Sequence, residues 1–137
     1  MKEIRIIALM IALAIIQAGL ILGGILPPLS VNSSVNTMFL LVRIAIIGYT
    51  GWIFSGIGFK EAAIKGGIVT FAAVITLYIS IFIGITMHKP VLGISFTSQN
   101  FFFILLFMGL INVMFGAVFA VIGAIIGRKF LKSSNPN

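Results

Sequence analysis

The sequence predicts an all-α integral membrane protein: four transmembrane helices in an antiparallel bundle, with both termini cytoplasmic. Three observations carry this expectation. Apolar residues make up 61% of the chain and charged residues 8%, with a mean hydropathy of +1.28, so little polar surface is left to face water. The apolar residues gather into runs of about twenty, the length that crosses roughly 30 Å of hydrocarbon at about 1.5 Å per residue. These runs lack the alternation of barrel strands, and in lipid only helices or closed barrels satisfy every backbone polar group.

The first span, 6–26, follows Met1-Lys2-Glu3-Ile4-Arg5 and is longer than the roughly 7–15 residues of a secretory signal core, so it reads as a retained helix. Pro27-Pro28 should end it, because proline lacks the amide that a helix needs. A polar link, 29–37, leads to the second span, 38–57, which Gly58-Phe59-Lys60-Glu61 interrupts. The third span, 66–87, opens after Lys65 and stops at His88-Lys89-Pro90. A second link, 91–100, precedes the fourth and longest span, 101–126, which runs into Gly127-Arg128-Lys129. Residues 1–132 thus read as one transmembrane domain, and the polar tail 133–137 is expected not to fold. The segment Pro27-Pro28-Leu29-Ser30-Val31-Asn32 echoes Pro90-Val91-Leu92-Gly93-Ile94-Ser95, a hint of two-span repeats of the kind transporters use.

Basic residues set the orientation. With a cytoplasmic N-terminus, Lys2, Arg5, Lys60, Lys65, Arg128, Lys129 and Lys132 all fall inside, and only Lys89 lies in an outer loop. The net charge of +7 is therefore a topology signal. No basic face with interleaved aromatics lies outside the spans, so no nucleic-acid partner is expected.

Helices in lipid associate by close approach at small residues. Candidates recur at helical spacings of three, four or seven: Ala12, Gly19 and Gly23 in the first span; Gly48, Gly51, Ser55 and Gly58 in and after the second. Thr70, Ala73, Ser80 and Gly84 follow in the third, and Gly116, Ala120, Gly123 and Gly127 in and after the fourth. Gly19 with Gly23 and Gly123 with Gly127 are also GxxxG pairs, suited to contacts within one chain or between chains. Phe101-Phe102-Phe103 reads as an anchor at the outer interface.

Three polar residues stand inside spans. Arg43, one to two turns from the expected outer end of the second span, costs at least about 2.5–3.5 kcal/mol in hydrocarbon. Snorkelling to head groups would offset that, as would an anionic lipid, a substrate, or a carboxylate from another protein. The chain's own acids, Glu3 and Glu61, both lie on the cytoplasmic side. Gln17 and Asn112, near mid-span, are expected to bond across helices or to line a polar path, which Thr76, Tyr78 and Ser80 would extend. Trp52 and Tyr49 suit packing, and His88 with Lys89 suits a helix C-terminus.

Two acids, one histidine and no cysteine leave no paired-carboxylate, zinc, haem or thiol chemistry to assemble. No catalytic, cofactor-binding or metal-binding residues are therefore expected, and an enzyme is not. The expected partners are membrane lipids and other membrane subunits or copies of the chain. The function that follows is a noncatalytic accessory or scaffold subunit, or a self-associating bundle. The alternative is a small oligomeric transporter or channel for an anionic or lipophilic solute; lipid binding in a groove is a third reading. The pattern of Gly48-Tyr49-Thr50-Gly51, Glu61-Ala62-Ala63-Ile64-Lys65-Gly66-Gly67 and the glycines from Gly116 to Gly127 resembles small glycine-rich prokaryotic four-span proteins of unassigned function, a likeness that implies topology alone.

The cysteine-free chain makes the orientation directly measurable. A membrane-impermeant maleimide is expected to label Asn32→Cys on intact cells and Ser134→Cys only after permeabilisation; labelling of Ser134→Cys from outside would reverse the assigned topology.

Overall fold

The computed structural model describes residues 2–93 and 100–133, the last three through their backbone alone. It contains four helices: α1 (Lys2–Leu22), α2 (Ser34–Ile53), α3 (Phe59–Thr86) and α4 (Phe101–Ser133). Each is long and apolar enough to cross a membrane, and no strand occurs among the described residues. The expected tail 133–137 lies outside the described residues beyond Ser133, which still belongs to α4.

Local chemistry moves the helix ends away from the hydropathy boundaries. α1 stops at Leu22, before Pro27-Pro28 is reached, because Gly24 adopts φ +75° and lets Gly24 N–H donate to the Ile21 carbonyl and Ile25 N–H to the Leu20 carbonyl. α2 begins four residues earlier than expected, at Ser34. Ser33 caps it, its hydroxyl accepting from the Asn36 amide at 3.2 Å. α3 begins at Phe59, so Lys60, Glu61 and Lys65 ride on its first turns instead of a loop; charge ends a hydrophobic run without ending a helix. At its far end His88 takes φ 56°, and Lys89 N–H closes on the Gly84 carbonyl at 2.8 Å. The Lys89 ammonium then donates to Leu22 O at 2.8 Å, so a cation meets the exposed carbonyls at the end of α1.

Two ends can be told apart by contacts. At the terminal end, Glu3 of α1 pairs with Lys65 of α3 at 2.8 Å. There Arg128 of α4 donates to Ser55 O at 2.8 Å and lies over the Phe59 ring, 4.0 Å from its centroid. At the link end, the two long connections run side by side, Leu29 N–H donating to Val91 O and Ser30 N–H to Leu92 O. The echo between those connections is therefore a spatial neighbourhood up to Gly93; its last residues, Ile94 and Ser95, lie outside the described residues. The two hairpins pack differently. α3 and α4 touch along their length, whereas α1 and α2 meet sparsely and α1 does not reach α4.

Two apolar clusters result. One, nearer the terminal end, gathers Ile6, Met10, Ile47, Val69, Ala73 and Ala120. The other, at the link end, gathers Ile21, Ile81, Val91, Leu92, Phe101 and Leu105. Small residues bring the backbones together beside the first: a Cβ at Gly51 would fall into the Ala120 peptide, one at Gly123 into the Gly48 peptide, and one at Gly116 into Thr70. Gly127 lies against Ser55 and Trp52. α1 differs from the expected seam. It buries Met10, Ala14, Gln17 and Ala18, while Ala12, Gly19 and Gly23 are exposed. A side chain at Gly19 would meet open space, and one at Gly23 only α1's own last turn and Ile25. The hydrophobic run alone does not distinguish the two faces of α1, because both are apolar; the amide at Gln17 decides which turns inward.

Gly51→Leu is expected to lower the stability of the detergent-solubilised protein by about 3 kcal/mol or to prevent folding. Gly19→Leu should stay within about 0.5 kcal/mol of wild type. Equal shifts in thermal unfolding for the two variants would show that the α2–α4 approach does not govern stability.

Candidate functional site

Where the glycine seam gives way to larger side chains, the helices enclose a cavity of about 690 Å³ between the two clusters. Met10, Ile47, Thr70 and Ala73 form its floor, and Ile81, Leu92 and Leu105 lie toward the link end. These residues are buried. The rim is exposed: Val31 and Leu40 on one side, Met108, Asn112 and Phe115 on the other. The cavity therefore opens sideways between α2 and α4.

Arg43 and Gln17 stand in its wall, and a relay of side chains fastens them. Arg43 Nη2 donates to Gln17 Oε1 at 2.7 Å, and Gln17 Nε2 donates to Asn36 Oδ1 at 3.2 Å. Asn36 Nδ2 in turn reaches the carbonyls of Pro27, Pro28 and Val31 at 3.3–3.4 Å. Gln17 is 2% exposed, so both ends of its amide are committed inside the protein. This relay is what ties the sparse α1–α2 pair.

Arg43 lies about 15 Å along the helix from the Ser33 cap, and its guanidinium turns to Gln17 instead of snorkelling outward. Neutral dipoles spread the charge without neutralising it, and Arg43 Nε is buried with no hydrogen-bond partner. Glu3 is engaged with Lys65 at the terminal end, and Glu61 lies in the first turn of α3. No carboxylate of this chain meets the guanidinium.

Asn112 lines the same cavity but does not join the relay. Its side chain is exposed and donates to Met108 O at 2.7 Å, along its own helix, so the expected bond across helices is not made. Thr76 and Ser80 likewise bond back to the carbonyls of Ala72 and Thr76 and extend no polar path. Tyr78 does cross, its hydroxyl donating to Leu105 O of α4 beside Gly109. Sequence reasoning missed Asn36, which looked like part of a polar link. Its signal was the position three residues after a capping serine, which places it on the first turn of a helix facing α1. No His, Asp, Glu or Cys cluster able to hold a metal occurs among the described residues.

No protein-family model, curated protein or solved structure matches this chain. The site therefore has to be read from its own geometry.

Asn36→Ala removes the hub of the relay and is expected to cost about 1–3 kcal/mol, since it leaves the Gln17 amide buried and short of a partner. Asn112→Ala, which removes one bond on an exposed face, should cost less than about 0.5 kcal/mol. Chemical denaturation in mixed micelles measures both; similar losses would mean that the relay carries no stability.

Proposed function

We propose that this protein is a noncatalytic integral membrane component, an antiparallel bundle with both termini cytoplasmic, which serves as an accessory or scaffold subunit of a membrane complex or assembles with copies of itself. The observation that supports this reading best is the division of labour on α4. One face carries Gly116, Ala120 and Gly123 and is used up against α2 and α3. The opposite face carries Phe103, Phe107, Leu110, Met114 and Val118, each more than half exposed. The spacings of four, three and four from Phe103 to Met114 keep these side chains on one stripe, the pattern that seats a second helix.

Partners of such a bundle are membrane lipids and the helices of other subunits or copies. The links between its helices are too short to form a domain of their own, so any protein contact is made chiefly within the membrane. A second reading, a small oligomeric transporter or channel for an anionic or lipophilic solute, is favoured by the cavity beside Arg43.

Extraction in mild detergent followed by native mass measurement tests the first reading. Masses above the 14.7 kDa of one chain are expected, as whole multiples or with an added subunit. Alanine at Phe107, Leu110 and Met114 together should return the particle to one chain. A wild-type protein that is strictly single and partnerless would exclude the scaffold role.

A further inference from the structure

We propose that the cavity beside Arg43 binds a single-chain amphiphile with a carboxylate head, admitted sideways from the leaflet at the link end, which is the outer leaflet in the proposed orientation. This inference rests on the solute-binding reading above and names its ligand class.

Charge comes first. A guanidinium about 15 Å along α2 from its cap is held by one neutral amide, with its Nε unpartnered and both Glu3 and Glu61 at the far end of the bundle. One positive charge in a medium of low dielectric calls for one negative charge, and a carboxylate fits the planar fork of arginine. The amide relay holds that fork in place, with Gln17 fixed at both ends and Asn36 anchored on three backbone carbonyls. A ligand meeting a fixed fork orders little on binding.

Shape decides between an amphiphile and a small hydrated anion. The walls of the cavity are mostly apolar, with Met10, Ile47, Ala73, Ile81 and Leu105 among them. A bare inorganic ion would give up its hydration and leave those walls without contact. The volume of about 690 Å³ lies within the range of roughly 300–1,000 Å³ that takes ligands of a few tens of atoms. The exposed rim, Leu40 on α2 with Met108 and Phe115 on α4, faces sideways toward hydrocarbon. Toward the terminal end the way is shut by the contacts of Gly51 with Ala120, Gly123 with Gly48 and Gly66 with Gly116. The open side thus runs from the gap between α2 and α4 to the link end, where exposed Ser30, Asn32 and Thr37 also line the cavity. The proposed ligand enters through the apolar part of this opening, with its head turned in to Arg43 and its chain along the α3–α4 wall or out through the rim.

The test uses the full chain in phosphatidylcholine nanodiscs and a photoreactive C18 fatty acid with its diazirine in mid-chain. Saturable crosslinks are expected on the cavity residues Ile44, Leu77 and Phe115 in wild-type protein, a readout that needs no variant to fold. Oleate should displace them, whereas oleyl alcohol, of equal length without the charge, should need at least about tenfold more. Arg43→Gln should erase that difference, and Arg43→Lys should retain part of it. Crosslinks spread evenly over the outward stripe at Phe103 and Phe107, or equal displacement by oleate and oleyl alcohol, would overturn the proposal. Displacement by chloride or inorganic phosphate at millimolar concentration would overturn the amphiphile while sparing the solute-binding reading. No saturable crosslink and no displacement by any of these anions would remove both.

Discussion

The close approach of α4 to α2 and α3 between Gly116 and Gly123 sets the geometry of everything else. No hydrophobic force drives apolar helices together in lipid, so contact area has to come from backbone against backbone, and that distance is reached only where Cβ atoms are small or missing. Gly51, Gly66, Gly116, Ala120 and Gly123 supply it from three helices at one level. Beyond that seam the helices carry larger side chains, among them Tyr78 and Leu105, and the cavity lies there, between the two apolar clusters.

Arg43 introduces the opposing element. Burying a charge in a low-dielectric medium is costly unless partners are provided, and here the partners are amides held by link carbonyls. That arrangement couples two features which appear unrelated along the chain. Asn36 gathers the link carbonyls of Pro27, Pro28 and Val31 and passes the constraint through Gln17 to the guanidinium. The outcome is an oriented positive charge whose compensation is incomplete, which distinguishes this cavity from an ordinary packing gap.

Much of the fold was legible because lipid imposes a simple requirement on length and apolarity, and four helices satisfy it. Helix ends were less legible. Hydropathy reports where charge begins, as at Lys60 and Lys65, while capping chemistry at Gly24, Ser33 and His88 reports where hydrogen bonding ends. The seam of α1 was misjudged for a related reason: Gly19 and Ala12 look like packing residues, yet the inward face is the one that carries Gln17. Of the polar trio, Arg43 and Gln17 meet and Asn112 only faces them, since an amide on an exposed helix face bonds most cheaply to its own backbone.

The sequence by itself determined that the chain forms four helices long and apolar enough to cross a membrane, and that reactive groups are scarce, because each follows from composition and from the length of apolar runs. It also marked Arg43 as a charge to be offset, by snorkelling, an anionic lipid, a substrate or a carboxylate from another protein. Only the tertiary structure decided that amide dipoles come from Gln17 and Asn36 and that the charge faces a lateral cavity. Those outcomes depend on the rotation of each helix about its axis, which steric contact between distant residues selects and which no single segment encodes.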